Sequence, residues 1–154
     1  MTQTNQDDEL TDSDLLSAFE SASLPFNKWR HHEHIRVAYL HLVQDEFAVA
    51  FPKFKARLLS LNLAHGVPDL PDRGYHETLT IVWLRLVEAV LLKEGPCRDS
   101  IEFCDRHPQL LFKFAPRFFY SREVITSSLA KAEFVPPDRV TKFSEKSAER
   151  SLLF

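Results

Sequence analysis

The run Tyr75-His76-Glu77-Thr78-Leu79-Thr80-Ile81-Val82-Trp83-Leu84-Arg85-Leu86-Val87-Glu88-Ala89-Val90-Leu91-Leu92 decides the fold. Leu79, Val82, Trp83, Leu86, Val87, Val90 and Leu91 recur at intervals of three and four, the period of an α-helix. They cover so much of the circumference that this helix belongs at the centre of a bundle. Gly95-Pro96 ends it. Upstream, Ile35, Ala38, Tyr39 and Leu42 keep the same spacing and predict a helix over about 32–44. Phe51, Phe54, Leu58 and Leu61 predict another over about 52–65, with Pro52 in its first turn and Gly66 just past its end. Thr11 or Ser13 can cap a helix carrying Leu15, Leu16, Phe19 and Ala22, which stops before Pro25. Beyond Gly95 the pattern predicts a helix over about 98–106 and a short one opening at Pro108. A last helix runs from a Ser121 cap to about residue 131, before Pro136-Pro137. Neither an alternating strand pattern nor an internal repeat is present.

The fold class expected is all-α. It is a single-domain helical bundle of about five to seven helices with a central up-down-up three-helix layer. The helical domain spans 11–140, between an acidic flexible N-terminus over 1–10 and a charged tail over 141–154. Composition agrees: of 154 residues 44% are hydrophobic, 13 are Phe and only 3 are Gly, too few glycines for a turn-rich barrel. So few glycines also leave no phosphate-cradling loop. A net charge of −3 and a pI near 6.2 give no electrostatic footprint for nucleic acid. No signal-peptide pattern or membrane-length apolar run is present, which points to a cytoplasmic protein. Cys97 and Cys104, seven residues apart on one predicted helix, are too distant for a disulfide and should be reduced thiols.

Chemistry concentrates in two short runs. Trp29-Arg30-His31-His32-Glu33-His34 opens one predicted helix, and Gly74-Tyr75-His76-Glu77-Thr78 opens another. Helices joined by short connections pack antiparallel, so the starts of these two and the end of the helix between them should lie at one end. That gathers His31, His34, Asn62, His65, His76 and Glu77 around one mouth. Imidazole is the commonest metal ligand and titrates nearest neutral pH. His31, His34 and His76 are therefore candidate ligands, with His65 a possible fourth, for a divalent transition metal such as zinc, iron, copper or nickel. Glu77 beside His76 is a candidate general base on metal-bound water, with Tyr75, Thr78 and Thr80 orienting ligands or substrate. Arg36, one turn past the cluster, is a candidate substrate clamp, and Tyr120 and Arg122 a candidate pocket wall. The simpler alternative is that polar residues at helix starts cap free amides. His41 reads as a packed or hydrogen-bonded bundle residue, His107 as a surface turn, and Tyr39 and Trp83 as core.

Trp29-x-His31-x-x-His34, Asn62-x-x-His65-Gly66 and Gly74-Tyr75-His76-Glu77-Thr78-x-Thr80 resemble a family of small helical proteins of unknown function. Tyr120-Ser121-Arg122-Glu123 with Pro137-Asp138 is similar to its closing segment. The resemblance runs from about residue 12 to 140. It implies one folded unit and favours His31, His34, His65, His76 and Glu77 over His32, His41 and His107, but implies no activity.

The function expected from the sequence is a metal-dependent enzyme acting on a small molecule, for which an anionic group would suit the helix N-termini at the mouth. One alternative is a non-enzymatic protein that binds a metal or a small acid. Another is a metal-free acid–base enzyme using His76 and Glu77.

Overall fold

A computed structural model describes residues 8–139, and every described element is helical. Its α-helices are α1 (Asp12–Glu20), α2 (His31–Gln44), α3 (Phe47–Ala64), α4 (Glu77–Glu94), α5 (Ser100–Arg106), α6 (Arg122–Ile125) and α7 (Ser128–Ala132). Short 3₁₀ turns at Phe26–Lys28, Pro108–Leu111 and Ala115–Phe118 connect them. No described helix is long and apolar enough to cross a membrane. The charged tail expected over 141–154 lies outside the described residues.

Helix starts follow local capping chemistry. Thr11, Asp99, Ser121 and Ser127 accept the amide three residues on and so cap α1, α5, α6 and α7. The Ser127 cap also splits the single helix expected after Ser121 into α6 and α7. Helix α3 begins at Phe47 rather than at Pro52, so the proline sits inside it. The apolar spacing of Phe47, Ala50, Phe51 and Phe54 runs through the proline, and packing of that face outweighs the one lost hydrogen bond. Cys97 precedes α5 instead of sharing it with buried Cys104; both are free thiols.

Helix α2 is the hub and packs against α1, α3, α4 and α5. Lys55 pairs with Glu77 at 2.8 Å, and Arg85 stacks 3.4 Å above the Phe47 ring. Numbers fall along α3 as they rise along α4, which is the sense of an antiparallel pair. The core centres on Phe19, fully buried, whose ring meets Trp29 at 5.1 Å, Phe54 at 5.5 Å and His41 at 5.8 Å. One side chain thereby ties α1 to α2, α3 and the connector before α2.

Two sequence expectations change here. Arg36 is no solvent-facing clamp. It is 1% exposed, and its guanidinium donates to the Ser100 hydroxyl (2.7 Å), the Leu10 carbonyl (2.7 Å) and Asp12 (3.2 Å). A buried guanidinium keeps its charge only when its donors are satisfied, and this set locks α1 to α2 and α5. The same network docks residues expected to be loose, because Glu9 lies 3.9 Å from Arg36 and Asp8 3.0 Å from Lys28. His107, expected in a surface turn, is buried against Phe103 at a ring distance of 4.8 Å. His41 behaves as expected: its Nδ1–H donates to the Val37 carbonyl (2.8 Å), and Arg57 donates to its Nε2 (2.9 Å).

Phe19→Ala removes the ring shared by three neighbours and should cost about 3–5 kcal/mol. The expected reading is a lower urea midpoint at unchanged slope. A loss below about 1 kcal/mol would show that Phe19 is not the centre of the core.

Candidate functional site

Helices α2, α3 and α4 enclose a cavity of about 370 Å³, within the range of small-molecule sites. Trp29, His31, His34, Ile35 and Ala38 form one wall, and Phe54, Leu58 and Asn62 of α3 form the second. The third comes from Tyr75, His76, Leu79, Thr80, Trp83 and Leu84, with Arg30 and Lys113 at the rim. Both tryptophans of the chain line it.

The Trp-x-His-x-x-His spacing has a packing reason. Trp29 lies between Phe19 and His34, with ring separations of 5.1 and 3.8 Å, in one stacked column. The His34 ring edge still reaches the cavity, and its nitrogens hydrogen-bond to no described residue. Protein closely surrounds it, and desolvation by that burial drives its pKa down to about 3; His31 beside it adds to the effect and Glu33 opposes it. His31 packs edge-on against Trp83 at 4.5 Å, and its Nε2–H donates to the Leu110 carbonyl at 2.9 Å. Burial lowers its pKa, the Leu110 bond opposes this, and Lys113 and His32 lower it further. Between them Glu33 performs the capping role: its carboxylate accepts the Arg30 amide at 3.2 Å. Burial alone would raise the Glu33 pKa, but hydrogen bonds from His32 and Arg30 hold it at about 2.

His76 is the N-cap of α4. Its Nδ1 accepts the Leu79 amide (3.1 Å) and its Nε2–H donates to the Ile125 carbonyl (2.9 Å). These two bonds commit both nitrogens and fix a neutral tautomer; burial first, and Lys131 besides, lower its pKa against the Ile125 bond. The loop before it turns at Gly74, where φ is +83° and a Cβ would lie 3.1 Å from the Pro68 carbonyl oxygen.

The expected constellation comes together only in part. His31, His34, His76, Asn62, Tyr75 and Thr80 share the cavity. His65 does not: it sits at the end of α3, donates from Nε2 to the Leu24 carbonyl at 2.7 Å and packs against Phe26. It pins the α1–α2 connector. Glu77 is outside the cavity lining and meets Lys55 instead. Thr78 is fully buried, donating to the Glu133 carbonyl (3.0 Å) and accepting the Val135 amide (3.1 Å), so it clasps the closing segment. Tyr120 does the same through a 2.7 Å bond to the Val135 carbonyl, while Arg122 faces a different hollow. Among the described residues no group of three or more His, Cys, Asp or Glu side chains is placed to hold a metal ion.

Sequence reasoning missed Lys55, Trp83 as a cavity wall and Lys113. Lys55 also lies 5.3 Å above the Tyr75 ring. The buried Tyr75 hydroxyl has no well-directed hydrogen bond, and burial together with the Glu77 carboxylate raises its pKa. No family model, curated protein or solved structure matches the chain.

Four histidines (His31, His34, His41 and His76) are harder to protonate folded than unfolded. Below the unfolded value of 6.5 the unfolded chain binds protons that the folded chain refuses. Stability is therefore complete above about pH 6.5 and falls as the pH drops toward the His34 value of about 3. The slope from His34 alone reaches about 1.4 kcal/mol per pH unit. Urea midpoints at a series of pH values should show this decline, and His34→Gln should flatten it. An acid limb identical in the two proteins would refute the assignment.

Proposed function

We propose that the protein binds a small, flat, apolar molecule carrying one carboxylate, in the cavity between α2, α3 and α4. The observation that carries this reading is a cavity of about 370 Å³ lined by Trp29 and Trp83 and by imidazoles held neutral. Apolar walls with a few polar groups are the pattern of a small-molecule site. Planar rings suit a planar ligand, since stacked and edge-on aromatic contacts add to simple burial. Lys113 at the rim, beside His31, has no carboxylate partner among the described residues and supplies the place for an anionic group. Asn62, the Tyr75 hydroxyl, Thr80, the His34 nitrogens and the second His31 nitrogen are further hydrogen-bonding groups of the lining.

A second reading, the metal-dependent enzyme, has one observation in its favour. A histidine that donates one ring N–H to a backbone carbonyl presents its other nitrogen as a lone pair, the usual support of a ligating imidazole, and His31 does this through Leu110. With His34 three residues on it gives two donors, so this reading needs a third from the ligand or from outside the described residues. A metal-free acid–base role is favoured less, because both His76 nitrogens are engaged and Glu77 is paired with Lys55.

The two tryptophans make the test direct. Titration with 2-naphthoate should change Trp fluorescence saturably, and 2-naphthamide should bind at least tenfold more weakly. Lys113→Gln should remove most of that difference, and His34→Phe, which keeps the stack on Trp29, should weaken both ligands. No saturable change with either compound would overturn the proposal. Zinc titration followed by the same signal tests the second reading, which requires binding that His31→Ala abolishes.

A further inference from the structure

A second hollow, of about 500 Å³, is lined by Arg117, Arg122 and Arg139, with Tyr120, Ile125 and Thr126 between them. One hydrogen bond links it to the central cavity's lining: its Ile125 supplies the carbonyl that His76 grips. Among the described residues the three guanidiniums are only weakly compensated, by the Coulombic attraction of Asp138 for Arg139. Arg30, Arg36, Arg57, Arg85 and Arg98 have carboxylate partners, whereas among the described residues these three, like Arg73 and Arg106, have none within ion-pair distance. The nearby Asp138 carboxylate instead accepts the Ser121 amide at 2.8 Å.

Two of the three are held in place. Arg117 lies 4.4 Å over the Phe114 ring, and Arg139 donates to the Arg117 carbonyl at 2.7 Å while its amide donates to the Phe119 carbonyl at 2.9 Å. Positioned guanidiniums lose less freedom when they bind. We propose that this hollow is a phosphate site, taking the phosphoryl group of a phosphate ester. Each guanidinium offers a planar fork of donors. Three of them around one hollow match the three oxygens and near-double charge of a phosphoryl group better than the two oxygens of a carboxylate. Phe118, 67% exposed, follows Arg117 in the chain and lies 6.2 Å from the 49% exposed Phe112 ring, so the pair offers apolar surface to the carbon portion of such an ester. The chemistry is common to a free phosphate ester and to a lipid headgroup. It is independent of what the central cavity binds.

Two probes separate the sources: inorganic phosphate by calorimetry in chloride buffer of fixed ionic strength, and phosphatidylcholine vesicles with and without phosphatidic acid by co-sedimentation. The expected result is saturable binding of phosphate, of the phosphatidic acid vesicles or of both, weakened at least tenfold in R117Q/R122Q. Phosphate binding places the ligand in solution, and binding only to the acidic vesicles places it in a membrane. Arg122→Gln alone, whose guanidinium bonds to no described residue, serves where the double variant misfolds. Absence of binding to both probes, or equal binding by the variants, would overturn the proposal.

Discussion

The structure depends on the aromatic column Phe19–Trp29–His34. Phe19 brings α1 onto α2 and α3, Trp29 stacks on it, and His34 stacks on Trp29 where the cavity begins. The column is at once core and wall. Because it crowds the His34 ring, it strips water from an imidazole that still reaches an open space, and so fixes that group as neutral. Packing that stabilises the bundle thus sets the polarity of the site.

A second constraint comes from the backbone carbonyls. His31, His65 and His76 each give an Nε2–H to a carbonyl distant in sequence: Leu110, Leu24 and Ile125. Each such bond satisfies a carbonyl that lacks a helical partner and joins two segments. This explains why histidine occupies helix ends here, where a shorter capping residue is the commoner choice. A longer side chain can cap its own helix and still reach a neighbour, as His76 does at both nitrogens.

The all-α class, the caps at Thr11 and Ser121 and the buried role of His41 were legible because they rest on local periodicity and local donor–acceptor chemistry; the hub was not, since the apolar circumference of α4 pointed to that helix while α2 is the one that packs against four others. The gathering of His31, His34, Asn62 and His76 around one cavity was also legible, although His65 and Glu77, expected with them, lie outside its lining. Long-range partners were not legible. Nothing in the local pattern shows that Glu77 meets Lys55, that Thr78 clasps Glu133 and Val135, or that His65 turns to Leu24. Arg36 was read as a clamp because its depth is set by Asp12 and Ser100, the latter 64 residues away. The metal-ligand reading counted histidines; it had no means of counting the nitrogens that backbone carbonyls had already taken.

The most direct measurement is a long-range ¹H–¹⁵N NMR spectrum of the histidine rings followed through an acid titration. The account predicts Nε2–H tautomers for His31 and His76 at neutral pH, and a His34 ring that stays neutral well below the ordinary histidine pKa, toward about 3. A His34 that titrates near 6.5, or a His76 carrying its proton on Nδ1, would contradict it.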